Sequence, residues 1–562
     1  MKNNMLLIVL ALMAMSVKGQ TIITGPNVSG IWTPAGSPYL VQASIMIPGD
    51  STLMIQPGVR IEFKGHYKFV VLGRLLALGT NADPVRFTAT DISTGWYGLR
   101  FDNSNTANDS SIIDHCILEY GRKTDPDYRG GAIAFKNFSK ARVSHCLIRH
   151  NYSCAYGGGI SCYDSDPVII NNTFDSNTAD FVAAMNTGGG AISCDNSNSL
   201  IAGNTFINNT ASAGIGGGGA IFIEDGSPVI SGNLIINNTN TNNAYYGDGG
   251  GGGIFAYGHA TIIGNTISNN KADGYLANGG GIYFYVNDHS TVINNTITNN
   301  SVLGATGKGG ALFCDLSSYP TLINNTITNN DAKNMGGALY CYGVANLTFR
   351  NCIIYGNTAN QQANQVYLYD EDSDPDFYYC DLQGGVAGFD LNGNFYTGNY
   401  ENNIDTDPLF VWPTAGSGTY WNGAVVDWTE DVASPCINAG DPNGSYPETD
   451  KGGSPRVADG CIDMGAYEYP WAVGISSTPL QQTSMASPNP FSNFTTIQFS
   501  TKIESGTLKI YDTSGRILRA IDNISGDRFV IERGDLPPGL YYYQLQIADQ
   551  HVMTGNIVIA VP

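Results

Sequence analysis

Residues 157–177 read GGGISCYDSDPVIINNTFDSN, and this stretch decides the fold because the chain keeps restating it. GGGAISCDNSNSLIAGNTFINN follows from Gly188, GGGAIFIEDGSPVISGNLIINN from Gly217, GGGIFAYGHATIIGNTISNN from Gly251, GGGIYFYVNDHSTVINNTITNN from Gly279, GGALFCDLSSYPTLINNTITNN from Gly309 and GGALYCYGVANLTFRNCIIYGN from Gly336. Ile160, Ile192, Ile221, Ile254, Ile282, Leu312 and Leu339 recur at 27 to 33 residues. No unit carries a helical 3.6-residue pattern; each has two or three short β-branched runs broken by Gly-Gly and Asn-Asn. One such unit cannot bury its apolar face alone. Stacking units as rungs about 4.8 Å apart buries it and pairs every strand edge except at the ends. The expected architecture is an all-β solenoid.

The columns of that solenoid are legible. Two residues after the second Asn stand Phe174, Phe206, Ile235, Ile267, Ile297, Ile327 and Ile353, which are expected to face inward. Those Asn positions, Asn172, Asn204, Asn233, Asn265, Asn295, Asn325 and Asn351, suit a left-handed corner whose side chains bond to the next rung. After Gly-Gly, strand alternation sends one column outward: Ala134, Ser161, Ser193, Phe222, Phe255, Tyr283, Phe313 and Tyr340. A second outward column lies two residues on: Lys136, Tyr163, Asp195, Glu224, Tyr257, Tyr285, Asp315 and Tyr342. Aromatic rings beside carboxylates suit a polysaccharide groove, where rings stack on sugar faces and acids bind hydroxyls or Ca²⁺. Rings on successive strands also stabilise one another beneath a covering loop, so both readings stand. The aromatic candidates are Phe222, Phe255, Tyr257, Tyr283, Tyr285, Phe313, Tyr340 and Tyr342.

Composition narrows the function. Charged residues make up 13% of 562 and the net charge is −21, a field that repels nucleic acid and anionic membranes. The first 19 residues read as a signal peptide: Lys2, then an apolar run from Met5 to Met15, then Val17 and Gly19 before a cut ahead of Gln20. That run is too short to span a bilayer, and no other apolar stretch reaches 18 residues, so no integral membrane segment is expected after its removal. The eleven cysteines include no CxxC pair, which argues against a zinc site.

The repeats, with Phe174–Asn177 and Phe206–Asn209 as FxxN, resemble those of polymorphic outer-membrane proteins and other right-handed parallel β-helix proteins of the pectin lyase-like fold. Residues 20–129 read as the first coils, 130–360 as the repeats and 361–470 as a closing module. NNIDTDPLF (402–410), SPCINAGDP (434–442) and DGCIDMGAYEY (459–469) resemble a choice-of-anchor domain. Cys436 and Cys461 are either a disulfide of that module or two separate thiols. A Ser/Thr/Gln-rich linker, 471–486, leads to alternating strands in 487–562 that fit a small antiparallel β-sandwich. Pro488-Asn489-Pro490-Phe491, Tyr511-Asp512 with Gly515, and Gly539-Leu540-Tyr541 resemble the type-A sorting domain of the Bacteroidetes type IX secretion system. That resemblance implies the secretion machinery as partner, export across the outer membrane, removal of the domain, and often attachment to surface lipopolysaccharide. A C-terminal adhesion module of immunoglobulin type is the alternative.

Chemistry has fewer handles. Asp195 and Glu224 share a column on neighbouring rungs, and Asp315 lies on the same side; two carboxylates about 5–10 Å apart are what a glycosidase needs. Lys and Arg are scarce on the repeat face, and His289 sits in a turn. Asp370, Asp372 and Asp374 in the acidic run 370–376 either wrap Ca²⁺ or form a solvated loop. The sequence therefore supports a surface or secreted polysaccharide- or matrix-binding β-helix, with a lyase or hydrolase and a ligand-free spacer or adhesin as alternatives.

Overall fold

The computed structural model describes residues 19–559 apart from 105–109, 125–128, 187, 243–248, 459, 470–483, 490, 513–515 and 548–550. Residues 1–18 of the expected signal peptide, 1–19, and most of the expected linker, 471–486, lie outside them. Two units emerge, 1–471 and 472–562.

The first unit is a parallel β-helix. The coil opening at Gly157 gives Ile160–Tyr163 to sheet 1, Val168–Ile170 to sheet 2, Thr173–Asp175 to sheet 3 and Thr178–Asn186 to sheet 4. Among the described residues these parallel sheets run to 12, 14, 14 and nine strands. Parallel pairing starts at Thr21–Ile23 with Tyr39–Val41. The Gly-Gly turn is sterically required. Gly157 takes φ +60°, and a Cβ on Gly158 would lie 2.3 Å from the Gly190 carbonyl on the next coil. The interior is one continuous core that includes Ile160, Cys162, Phe174, Ile235, Ile267 and Phe284.

The paired asparagines divide their labour. The first adopts the left-handed corner, as at Asn171, Asn294 and Asn324, with Gly203, Gly232 and Gly264 on the coils between. The second forms the ladder. Asn265 Oδ1 accepts from the Asn233 backbone N–H at 2.8 Å, and its Nδ2 donates to Ile230 O at 2.8 Å and Asn295 Oδ1 at 3.0 Å. This column runs unbroken from Asn172 to Asn325. A second ladder at the next corner links Asn151, Asn177, Asn209, Asn238, Asn270, Asn300, Asn330 and Asn357.

The last repeat slips from the expected register. Asn351 is not in the ladder: it takes the left-handed corner at φ +53°, and the Cys352 thiol accepts the Asn325 N–H at 3.4 Å. The inward residue is accordingly Ile354, paired with Ile327, while Ile353 turns out against Cys436 and Met464. Thiols also stand at the opposite end, where Cys146 Sγ accepts from the Cys116 N–H at 3.4 Å.

The segment after the last coil folds back along the solenoid. Corner asparagines grip it: Asn299 donates to Gly416 O at 3.0 Å, Asn329 to Thr414 Oγ1 at 2.8 Å, Asn294 to Thr449 O at 3.0 Å and Asn324 to Asp463 O at 3.1 Å. Arg456 is fully buried there, bonded to Glu468 and Asn294 at 2.8 Å each. Glu430 is 2% exposed, and neither of its oxygens has a hydrogen-bond partner among the described residues. The second unit is the expected small antiparallel β-domain, built as one five-stranded sheet. Register shifts along Phe494–Tyr511 let a single sheet curl around its own core. Among the described residues no helix is long and apolar enough to cross a membrane.

Two outcomes follow. Asn265→Ala removes the ladder bonds of its side chain, the Asn233 N–H among its partners, and should cost about 3 kcal/mol in denaturant unfolding, whereas Asn265→Cys, copying the ladder ends, should cost about 1 kcal/mol less. Burial also drives the Glu430 carboxyl well above its ordinary pKa. A raised folded-state pKa favours folding below the unfolded value near 4.3, and that contribution is lost as pH rises. In thermal scans Glu430→Gln should therefore raise Tm relative to wild type at pH 8 and match it at pH 4.

Candidate functional site: the outer face of sheet 1

In-register pairing sets the outer face of sheet 1. Ser193 opposes Phe222, Phe222 opposes Phe255, Phe255 opposes Tyr283, and the column continues through Phe313, Tyr340 and Tyr367. These rings point away from the interior, yet from Phe222 to Tyr367 they are at most 3% exposed. The expected exposed strip is therefore corrected for Phe222, Phe255, Tyr283, Phe313 and Tyr340, which form a second apolar core outside the coil. The covering side chains precede Gly-Gly. Parallel bridges Lys308–Met335–Gln362 and Arg129–Tyr156–Gly188 lay that segment beside the column, and Tyr156, Met335 and Ala363 pack on it with Tyr257 and Tyr285. Rings stack closely, Phe313 on Tyr340 at 5.2 Å and Tyr340 on Tyr367 at 4.9 Å.

The second column is covered in part and opens toward its C-terminal end. Tyr163, Tyr257 and Tyr285 are half-buried, while Tyr342 and Tyr369 are 38% and 41% exposed beside exposed Leu316, Tyr319 and Val344. Tyr342 and Tyr369 lie 5.2 Å apart. Tyr367 and Tyr369 belong to one further rung that the repeat alignment missed, although Val366-Tyr367-Leu368-Tyr369 repeats the alternation of Leu339-Tyr340-Cys341-Tyr342. His289 is an exposed rung of a stack with His259 and Tyr319.

The acids do not converge as one set. Asp195 and Glu224 are register partners, with Asp315 three rungs further, about 14 Å away at about 4.8 Å per rung. Asp195 is held by Arg129 at 2.8 Å, and burial raises its pKa against that pull. Tyr156 is pushed up to about 12, by burial first and then by the charge of Glu224. Asp315 is buried and accepts from the Tyr283 hydroxyl at 2.6 Å. Burial lowers the Lys308 pKa, opposed by Asp315, and its Nζ sits 4.8 Å over the Tyr340 ring.

Basic residues gather at the N-terminal end of the same face. A cavity of about 100 Å³ is lined by Lys68, Tyr97, Arg100, Arg129 and Lys136 among others. Lys68 Nζ and the Arg100 guanidinium each stand 5.0 Å from the Tyr97 ring, and Arg129 lies 3.9 Å from that of Tyr163. Sequence reading found only Lys136, because Arg100 joins the column from a coil before the repeat, through the register Val70–Arg100–Ala134.

The remaining candidates have local roles. Asp370 accepts from the Gly343 N–H and Asp374 from Thr397, and Asp370, Asp372 and Asp374 do not gather their oxygens into one ligand set. Cys436 is buried with its thiol 3.4 Å from Asp381, Cys461 is exposed, and both are free thiols. In the second unit Asn489 bonds to Asn556 O and Val558 N, and Phe491 is buried. Tyr511 donates to Gln544, Asp512 accepts from Arg516, and Tyr541, in the strand Gly539–Ile547 with exposed Leu540, donates to Pro537 O. Pro488 is exposed; Pro490 and Gly515 lie outside the described residues.

A stacked parallel solenoid followed by a curled antiparallel unit defines the class: a β-helix protein with a C-terminal delivery domain. The chain belongs to the right-handed β-helix family, whose description, Right handed beta helix region, matches residues 76–261 and 231–382. The family described as Secretion system C-terminal sorting domain matches residues 486–560, which implies the type IX machinery and delivery to the cell surface or extracellular space. No curated protein matches the chain.

Phe313→Ala should cost about 3–5 kcal/mol in denaturant unfolding as a core truncation. Tyr342→Ala, one column further out, should cost below about 1 kcal/mol.

Proposed function

We propose that the exported chain is a non-enzymatic glycan-binding β-helix that holds an acidic polysaccharide along the outer face of sheet 1. The observation that carries this reading is the exposed pair Tyr342 and Tyr369, in one row with half-buried Tyr257 and Tyr285, on the same sheet face as the basic cleft of Lys68, Arg100 and Lys136. Tyrosine faces suit the apolar faces of sugar rings, and the buried aromatic column beneath holds them rigid. In a chain of net charge −21, a cationic cleft is where carboxylate or sulfate groups gain most.

A lyase or hydrolase reading draws on Arg129 beside Asp195 and Glu224, but the Arg129 charge is already engaged by Asp195. Release of oligosaccharides from the bound polymer, abolished by Glu224→Gln, would favour it.

Affinity electrophoresis of the full chain through polygalacturonate, a sulfated galactan and a neutral glucan tests the proposal. Retention is expected in the acidic gels, weakening with added salt. It should fall about tenfold in the pairs Tyr342→Ala/Tyr369→Ala and Lys68→Ala/Lys136→Ala, none of whose residues is fully buried. Equal migration in all three gels, or unchanged retention in both pairs, contradicts it and leaves the spacer reading.

A further inference from the structure

Asp114, His115 and His145 meet at one corner between two successive coils, away from sheet 1. Ser111–Asp114 pairs in register with Ala141–Ser144, so the two histidines that follow occupy equivalent corners, both left-handed, at φ +49° and +51°. Their rings stack 4.7 Å apart at 21°. His115 Nδ1 lies 2.8 Å from Asp114 Oδ2, and His145 Nδ1 lies 2.9 Å from Asp114 Oδ1. Ser144 Oγ donates to Oδ1 at 2.6 Å, and Asn171 Nδ2 stands 3.5 Å from His145 Nε2.

Stacking alone is this fold's ordinary behaviour: Tyr120 with His150 and His259 with His289 stack the same way at other corners. What sets this corner apart is a carboxylate turned onto both imidazoles. Among the described residues it is the only place where three ligand-bearing side chains bring their atoms within 4.8 Å of one another. Two ligands about 2.0–2.1 Å from one ion, at angles between square and tetrahedral, are about 2.9–3.4 Å apart, close to the spacings found here. All three side chains are between 27% and 40% exposed, open enough for an ion to enter.

We propose that Asp114, His115 and His145 bind one divalent transition-metal ion, zinc or copper, that clips the coil of Ser111–Glu119 to that of Ala141–Arg149. Two imidazoles and one carboxylate favour such ions over Ca²⁺, which takes oxygen ligands in larger number. The position gives the clip a purpose. Here the ladder bond is the Cys116 N–H to Cys146 Sγ contact at 3.4 Å, weaker than the amide bonds that begin with Asn172. An ion bound only by the folded chain adds stability in proportion to the logarithm of its concentration over Kd.

Titration of the full chain with ZnCl₂ by calorimetry tests this, together with EPR of the Cu²⁺-loaded chain. One saturable Zn²⁺ per chain is expected, with a raised Tm. Asp114→Asn and His145→Gln should each weaken binding about tenfold or more, and His259→Gln should leave it unchanged. The Cu²⁺ spectrum of the wild-type chain should carry coupling from two imidazole nitrogens. That reading decides the matter even if a variant fails to fold. No saturable Zn²⁺ binding, binding by folded Asp114→Asn equal to wild type, or a Cu²⁺ spectrum without nitrogen coupling would overturn the proposal.

Discussion

At each corner of a parallel coil the backbone bends, and an N–H is left pointing along the solenoid axis where no strand can receive it. Left bare in the interior, each such group would cost about 1–3 kcal/mol, and the corner recurs on every rung. A side-chain amide solves this because it accepts with one atom and donates with the other, passing the same bond to the next coil. Two columns of asparagine therefore run the length of the repeats. Because each amide must meet its equivalent on the next rung, the ladders also fix the register. Every other column follows from that, including the aromatic one.

Register turns the outer face of sheet 1 into two rows with different fates. The row nearer Gly-Gly is covered by the segment that precedes the glycines, so its rings add a second core that locks successive coils together. The row further along the strand lies at the edge of that cover and keeps its tyrosines partly in water. Burial and display are thus set two residues apart on one strand. The rigid row supports the open one, which is the arrangement an extended ligand needs.

Much of this was legible in the sequence, and the losses have physical causes. The Asn-Asn pairs announced the corners, but only the structure separates a left-handed first Asn from a ladder-forming second. Where the pair becomes Asn351-Cys352, a pattern search keeps the asparagine while the ladder keeps the position, which moves Ile354 inward in place of Ile353. Alternation predicted which rings leave the interior, but alternation is blind to a cover supplied by Tyr156, Met335 and Ala363. The fold-back of residues 414–468 was invisible because the asparagines that grip it lie 85 to 162 residues away. His115 and His145 were missed because metal spacings are sought within a loop, whereas a solenoid brings together residues a full coil apart.

The division of the sheet 1 face into a buried and an open tyrosine row carries the functional account, and each row can be read in the native protein. Hydroxyl-radical footprinting of the intact chain, with side-chain oxidation resolved by mass spectrometry, reports on both. The account predicts rapid oxidation of Tyr342 and Tyr369, with Tyr283, Tyr340 and Tyr367 protected until the chain unfolds. Oxidation of Tyr340 and Tyr283 at the rate of Tyr342 in the folded protein would contradict it.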